Sequence, residues 1–187
     1  MLWLALGLRL LGLNARPLWY DEAFAVLFAE KGPAALWYGT LTPSNGAAAD
    51  VHPIAYYTLL WGWMRLFGES PFAVRLPSVF AGTLSVAVVY RVGRELFGRR
   101  RFRTGAGAPS AGEAGAALTA IAPFAVQYSQ EARMYAGMGL ATMLAALFFL
   151  RAARRTGDGG RGTGDGGRGT EDGGRPPPGM GMPGLRS

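Results

Sequence analysis

The sequence predicts an all-α integral membrane protein: a multispanning helical bundle of about three full spans plus a partial first span, with an outer loop bearing juxtamembrane helices and a disordered C-terminal tail. Three observations predict it. Half of the 187 residues are hydrophobic, yet the apolar runs lack the polar faces that helices of a water-soluble core would carry. Arginines gather directly after apolar runs, at Arg99, Arg100, Arg101 and Arg103 and again at Arg151, Arg154 and Arg155, as on the cytoplasmic flanks of membrane helices. Beyond Arg155 the composition changes abruptly to Gly, Arg, Asp and Pro, which dilutes the mean hydropathy of the chain to +0.15. The predicted division is therefore residues 1–155 as the membrane domain and 156–187 as the tail.

Residues 71–97 form the clearest span. A helix needs about 20 largely apolar residues to cross the hydrocarbon, and this stretch has them, with Arg75 near one end and Arg91 and Arg94 near the other, where long side chains can snorkel to the interface. Residues 114–128 and 134–150 are the next two candidates, joined by the polar turn 129–133 in a tight hairpin. Placing Glu131 and Arg133 mid-membrane would cost about 2.5–3.5 kcal/mol per charge, so the pentapeptide reads as a turn. Residues 54–67 are apolar but too short to span, and Tyr56, Tyr57, Trp61 and Trp63 suit the headgroup level, so they read as an interfacial helix with Pro53 as its first residue. Residues 1–13 are apolar apart from Arg9, but reach only about 20 Å as a helix. They resemble a signal-peptide core without its cleavage pattern; the remnant of a first transmembrane helix is the preferred reading. With both arginine clusters inside, residues 14–70 and the turn 129–133 lie outside.

The tail repeats Thr156-Gly157-Asp158-Gly159-Gly160-Arg161-Gly162 as Thr163 to Gly169. No unit carries an apolar residue to bury, so it reads as disordered. Its alternating Asp cancels charge that an RNA would require, and no nucleic-acid partner is expected despite the net charge of +7. The chain has no cysteine, which excludes a disulfide framework and a thiolate metal site.

Two polar clusters meet on the outer face. Asp21 and Glu22 precede a helical pattern at residues 23–31; they suit helix capping or a general base facing a membrane-bounded cavity. Gln130, Glu131 and Arg133 occupy the hairpin turn, where Glu131 and Arg133 could pair with each other or Arg133 could grip a phosphate with its planar donors. His52, the only histidine, follows Asp50 at the entrance to the interfacial helix, as a polar interfacial residue or part of a hard-metal or substrate site; no structural zinc site is expected.

Leu18-Trp19-Tyr20-Asp21-Glu22-Ala23-Phe24, then Asp50-Val51-His52-Pro53-Ile54-Ala55-Tyr56-Tyr57, then Phe72 to Gly82, then Tyr128-Ser129-Gln130-Glu131-Ala132-Arg133-Met134-Tyr135 resemble, in order and spacing, the N-terminal third of bacterial membrane glycosyltransferases of the GT-C class. The branch is the one related to protein O-mannosyltransferases and lipid A aminoarabinose transferases (family 39). The resemblance implies an inverting enzyme that moves a hexose or pentose from a polyprenyl-phosphate donor to a hydroxyl on a protein, lipid or glycan acceptor, at the outer face of the cytoplasmic membrane. It implies Asp21, with Glu22 beside it, as the catalytic base. It places Asp50, His52, Gln130, Glu131 and Arg133 near the donor phosphate and sugar, with His52 and Arg133 on the leaving phosphate. Glu131 would orient substrate, or a divalent metal where one is used; no other cofactor is implied. Family members continue through many more spans, so the chain is expected to be the N-terminal portion of such an enzyme. The rival reading is a non-catalytic binding, transport or assembly subunit.

The topology is directly testable. Reporter fusions at Gly46 and Gly107 are expected on opposite sides of the membrane; the same side for both would remove the span 71–97 and the convergence of the two clusters with it.

Overall fold

The computed structural model describes residues 1–41, 54–98 and 108–159, and all the regular structure among them is helical. In chain order these are α1 (Leu2–Leu10), α2 (Tyr20–Glu30), α3 (Gly32–Leu41), α4 (Ile54–Phe67), α5 (Pro71–Phe97), α6 (Ala111–Ile121), α7 (Pro123–Ser129) and α8 (Tyr135–Gly159). Asp50, His52, Pro53, the arginines at 99–103 and the tail from residue 160 lie outside the described residues.

The central element is α5, which touches α1, α4, α6, α7 and α8. Its bounds are those the sequence predicts, and local chemistry sets them. Ser70 accepts a hydrogen bond from the Ala73 amide (3.2 Å), Pro71 occupies the first turn where its missing N–H is no loss, and Gly98 takes a positive φ at the end. On one side α5 packs α1 and α6 through Ala5, Val86, Ala116 and Ala120. Toward its start it carries a second core, in which Ala25, Phe28, Leu36, Tyr57, Leu60, Met64 and Val74 join α2, α3 and α4 to it. Phe28 meets Tyr57 edge to face at 4.8 Å, a favoured aromatic geometry. At the far end of α5, Glu95 receives Arg151 (3.2 Å) and Arg154 (3.4 Å) from α8.

Two helices among the described residues, α5 and residues 135–156 of α8, are long and apolar enough to cross a membrane, where the sequence predicts three. The segment expected as the second span is divided at Ala122, whose ψ of 122° breaks the helix ahead of Pro123. Pro123 has no N–H to give the Thr119 carbonyl four residues back. That carbonyl is met instead by Arg9 Nη2 (3.1 Å), while Arg9 Nη1 reaches the carbonyls of Ala120 (3.1 Å) and Ala5 (3.0 Å), and Nε reaches Ser129 Oγ (3.2 Å). Arg9 is fully buried, so the one charge in the apolar N-terminal run is the cap of a broken helix. Pro77 repeats the device inside α5: the Ala73 carbonyl it leaves without a partner accepts from Trp63 Nε1 at 2.8 Å.

Other expectations shift as well. The helix expected at 23–31 starts at Tyr20, with Trp19 as its cap and Asp21 and Glu22 inside the first turn. α3 has no counterpart in the sequence reading. α8 continues through residues 156–159, beyond the predicted start of the tail. Arg75, expected to snorkel to an interface, is buried.

Gly93 and Gly112 let α5 and α6 approach backbone to backbone. A Cβ on Gly112 would stand 2.7 Å from the Tyr90 carbonyl oxygen, and one on Gly93 would stand 2.6 Å from the Gly112 Cα. Gly112→Ala is therefore expected to cost about 1–3 kcal/mol, read as a lower unfolding temperature in detergent. Gly62→Ala, with nothing within 4 Å of its Cβ, is expected to leave that temperature unchanged or raise it.

Candidate functional site

Glu22 and Arg75 are the centre of the polar cluster. Arg75 donates all five of its N–H groups: Nε to Glu22 Oε1 (2.9 Å), Nη2 to Glu22 Oε2 (2.6 Å) and the Pro17 carbonyl (3.1 Å), and Nη1 to the carbonyls of Leu13 (2.6 Å) and Arg16 (3.0 Å). Glu22 also accepts from the Ala132 amide (2.8 Å) and the Trp19 amide (3.3 Å). The carboxylate is thus buried and answered by four donors. Burial pushes its pKa up, but the hydrogen bonds from Arg75 and the Ala132 amide, with the charge of Arg75, outweigh that and hold it below the ordinary value.

The residues of the α7–α8 turn reach α1 and α2. Gln130 Nε2 sits among the carbonyls of Leu8 (3.3 Å), Arg9 (3.2 Å) and Leu11 (2.8 Å) and closes the end of α1. Glu131 lines a polar cavity of about 230 Å³ with Arg16, Trp19, Gln127 and Gln130. Burial raises its pKa, helped by Glu22 and opposed by a hydrogen bond from Gln127 and by the charges of Arg133 and Arg16. The Ala132 amide is held by Glu22. Arg133 makes its ion pair with Asp21, not with Glu131, and also bonds Tyr135 Oη (3.2 Å) and lies over the Tyr135 ring at 5.0 Å.

The Asp21 side chain is 38% exposed and that of Arg133 12%. They line a small pocket with Phe24, Tyr56, Tyr57 and Met134. Arg133, Tyr56 and Met134 also line the head of a larger, mostly apolar groove of about 360 Å³ that runs between α4, α5 and α8 past Leu59, Ala81, Met138 and Ala141. A carboxylate and a guanidinium therefore stand in a small pocket that shares Tyr56, Arg133 and Met134 with an apolar groove, and the groove suits a hydrocarbon chain. Among the described residues no group of three or more His, Asp or Glu side chains could hold a metal ion.

A family model described as dolichyl-phosphate-mannose-protein mannosyltransferase matches residues 51–159, more than half of the 187-residue chain. The chain belongs to this family. It is thereby a member of a mannosyltransferase-type family of glycosyltransferases and, with α5 and α8 able to cross a bilayer, a membrane protein. No curated protein and no solved structure matches it. The matched region holds Arg75 and the 130–133 turn but not Asp21 or Glu22. Each of these two acids nonetheless pairs with an arginine inside the match, which joins the N-terminal segment to the family region. Arg75 is the residue of the cluster that sequence reasoning missed. Its signal was a charge four residues past the start of α5, alone in a stretch without other charges up to residue 90.

Because the folded-state pKa of Glu22 lies below its ordinary value of 4.5, its contribution is fully present above that value and is lost as pH falls through the depressed one. Wild-type unfolding temperature should drop steeply in acid. Arg75→Met leaves a buried carboxylate unpaired and is expected to cost about 3–5 kcal/mol at neutral pH. Glu131 has the opposite sign, its raised pKa making the ionised form the less stable one in the fold, so Glu131→Gln is expected to raise the neutral-pH unfolding temperature.

Proposed function

We propose that the Asp21–Arg133 pair is the reaction centre of a transferase that moves a sugar from a polyprenyl-phosphate donor to a hydroxyl-bearing acceptor, protein or glycolipid, at the outer face of the cytoplasmic membrane. The observation that carries this reading is that Arg133 belongs both to the pocket of Asp21 and to the head of the apolar groove. The polyprenyl chain lies in the groove and the phosphate meets Arg133, whose planar donors match its oxygens. Phosphate binding draws Arg133 from Asp21 and leaves the carboxylate to the acceptor.

In the transfer step the acceptor oxygen attacks the anomeric carbon from the face opposite the phosphate. The new C–O bond forms as the bond from that carbon to the phosphate oxygen breaks, the acceptor proton passes to Asp21, and the polyprenyl phosphate leaves with the bonding electrons against Arg133. The configuration is inverted. Glu22, saturated by four donors, holds its neighbour Asp21 in place and takes no proton, so the two adjacent acids have different tasks. Glu131 faces the cavity beside Arg16 and Trp19, where carboxylate, amide and indole together suit sugar hydroxyls. Asp50 and His52, outside the described residues, precede α4 and belong to the same reading as donor-phosphate ligands.

Asp21→Asn keeps shape and removes the proton acceptor. Sugar transfer in membranes carrying the full chain is expected to fall about 100-fold or more, with the unfolding temperature unchanged. Arg133→Lys retains charge, loses the planar fork and should weaken the donor. Wild-type transfer and donor affinity in both variants would rule out this pair as the site.

A further inference from the structure

Tyr56 is the anomaly in the site. Its Oη is buried and, among the described residues, is the side-chain polar atom without a hydrogen-bond partner. Buried hydroxyls are nearly always bonded, and an unmet one costs free energy. The position is unusual too: Tyr56, with Arg133 and Met134, is common to the Asp21 pocket and the apolar groove. The ring lies against that of Tyr57, 5.7 Å between centroids.

We propose that Tyr56 is a binding residue for the anionic headgroup of an isoprenoid phosphate, its hydroxyl donating to a phosphate oxygen that Arg133 holds from the other side. The inference rests on the reading of the groove given above and adds a second contact, on α4, to the one on the α7–α8 turn. Burial, with Tyr57 and Glu22 nearby, pushes the phenol pKa up against the opposing charge of Arg133, so the group remains a protonated donor throughout the physiological range. A neutral donor suits this place. Arg133 already carries the charge that attracts the phosphate, and a second cation would have to be buried in apolar surroundings. A bond from an uncharged hydroxyl to an anion is stronger than a neutral one and adds no charge when the site is empty.

The test uses the full chain purified in detergent, with farnesyl phosphate, farnesol and inorganic phosphate as probes, in wild type, Tyr56→Phe and Arg133→Lys. Because the hydroxyl is unmet in the unliganded fold, Tyr56→Phe should leave the unfolding temperature unchanged or raise it. It should weaken farnesyl phosphate about tenfold or more, as for loss of one hydrogen bond to a charged group, with farnesol unaffected and inorganic phosphate bound far more weakly than farnesyl phosphate by both proteins. A lower unfolding temperature in Tyr56→Phe would mean that the hydroxyl has a partner within the chain and would overturn the inference. So would unchanged affinity for farnesyl phosphate, an equal loss for farnesol, or inorganic phosphate binding as tightly as the lipid. If Arg133→Lys weakens farnesyl phosphate and Tyr56→Phe does not, the inference falls while the reading of the groove stands. If wild type does not bind farnesyl phosphate, both fall.

Discussion

The buried pair of Glu22 and Arg75 is the constraint from which the geometry of this end of the bundle follows. Arg75 comes from the first turns of α5 and collects the carbonyls of Leu13, Arg16 and Pro17 as well as both oxygens of Glu22. The link between α1 and α2, the start of α2 and the start of α5 are thereby fixed to one guanidinium. Glu22 extends the network to the α7–α8 turn through the Ala132 amide. Asp21 precedes Glu22 and Arg133 follows Ala132, so bringing Glu22 to Ala132 carries Asp21 to Arg133. The partly buried ion pair that faces the pocket is a consequence of the fully buried one behind it.

Backbone irregularity is handled in a consistent way. Proline interrupts α5 at Pro77 and separates α6 from α7 at Pro123, and each time the carbonyl left without its amide is taken by a side chain from another helix, Trp63 or Arg9. In apolar surroundings water cannot supply that partner, so a break persists only where protein donors replace the lost bonds. The break before Pro123 places α7 and the following turn so that Ser129 and Gln130 reach α1. This carries the turn, with Glu131, Ala132 and Arg133, over the start of α2.

Much of the fold was legible because it depends on local pattern. The bounds of α4 and α5 follow from apolar run length, the Ser70–Pro71 start and the Gly98 stop, and the convergence of the two polar clusters follows from the positions of the arginines along the chain. What was illegible depends on pairs far apart in sequence. Hydropathy alone does not separate an Arg75 that snorkels from one that meets Glu22 fifty-three positions away, nor show that Gln130, an amide suited to a ligand, closes the end of α1. The division at Ala122 was signalled by Pro123 but masked by the apolar composition on either side. α3 lacks both an apolar stripe and a charged cap, so its existence is owed to packing against α4.

The separation of roles between Asp21 and Glu22 follows from helix geometry. Successive residues of a helix point about 100° apart, so two adjacent acids in a first turn cannot both face one partner. Glu22 turns inward, where full hydrogen bonding offsets its desolvation. Asp21 turns to the pocket rim, half shielded beside Arg133. Asp21 and Glu22 are each matched by one guanidinium, so the two pairs offer no excess charge to an incoming phosphate. It must compete for Arg133 against Asp21, and under the proposed reading it succeeds through contacts that the carboxylate cannot offer: a hydrocarbon chain buried in the groove and the waiting hydroxyl of Tyr56. Selection for a lipid-linked phosphate over a free one then arises from the groove, and the arginine supplies the point at which binding and release of the base are coupled.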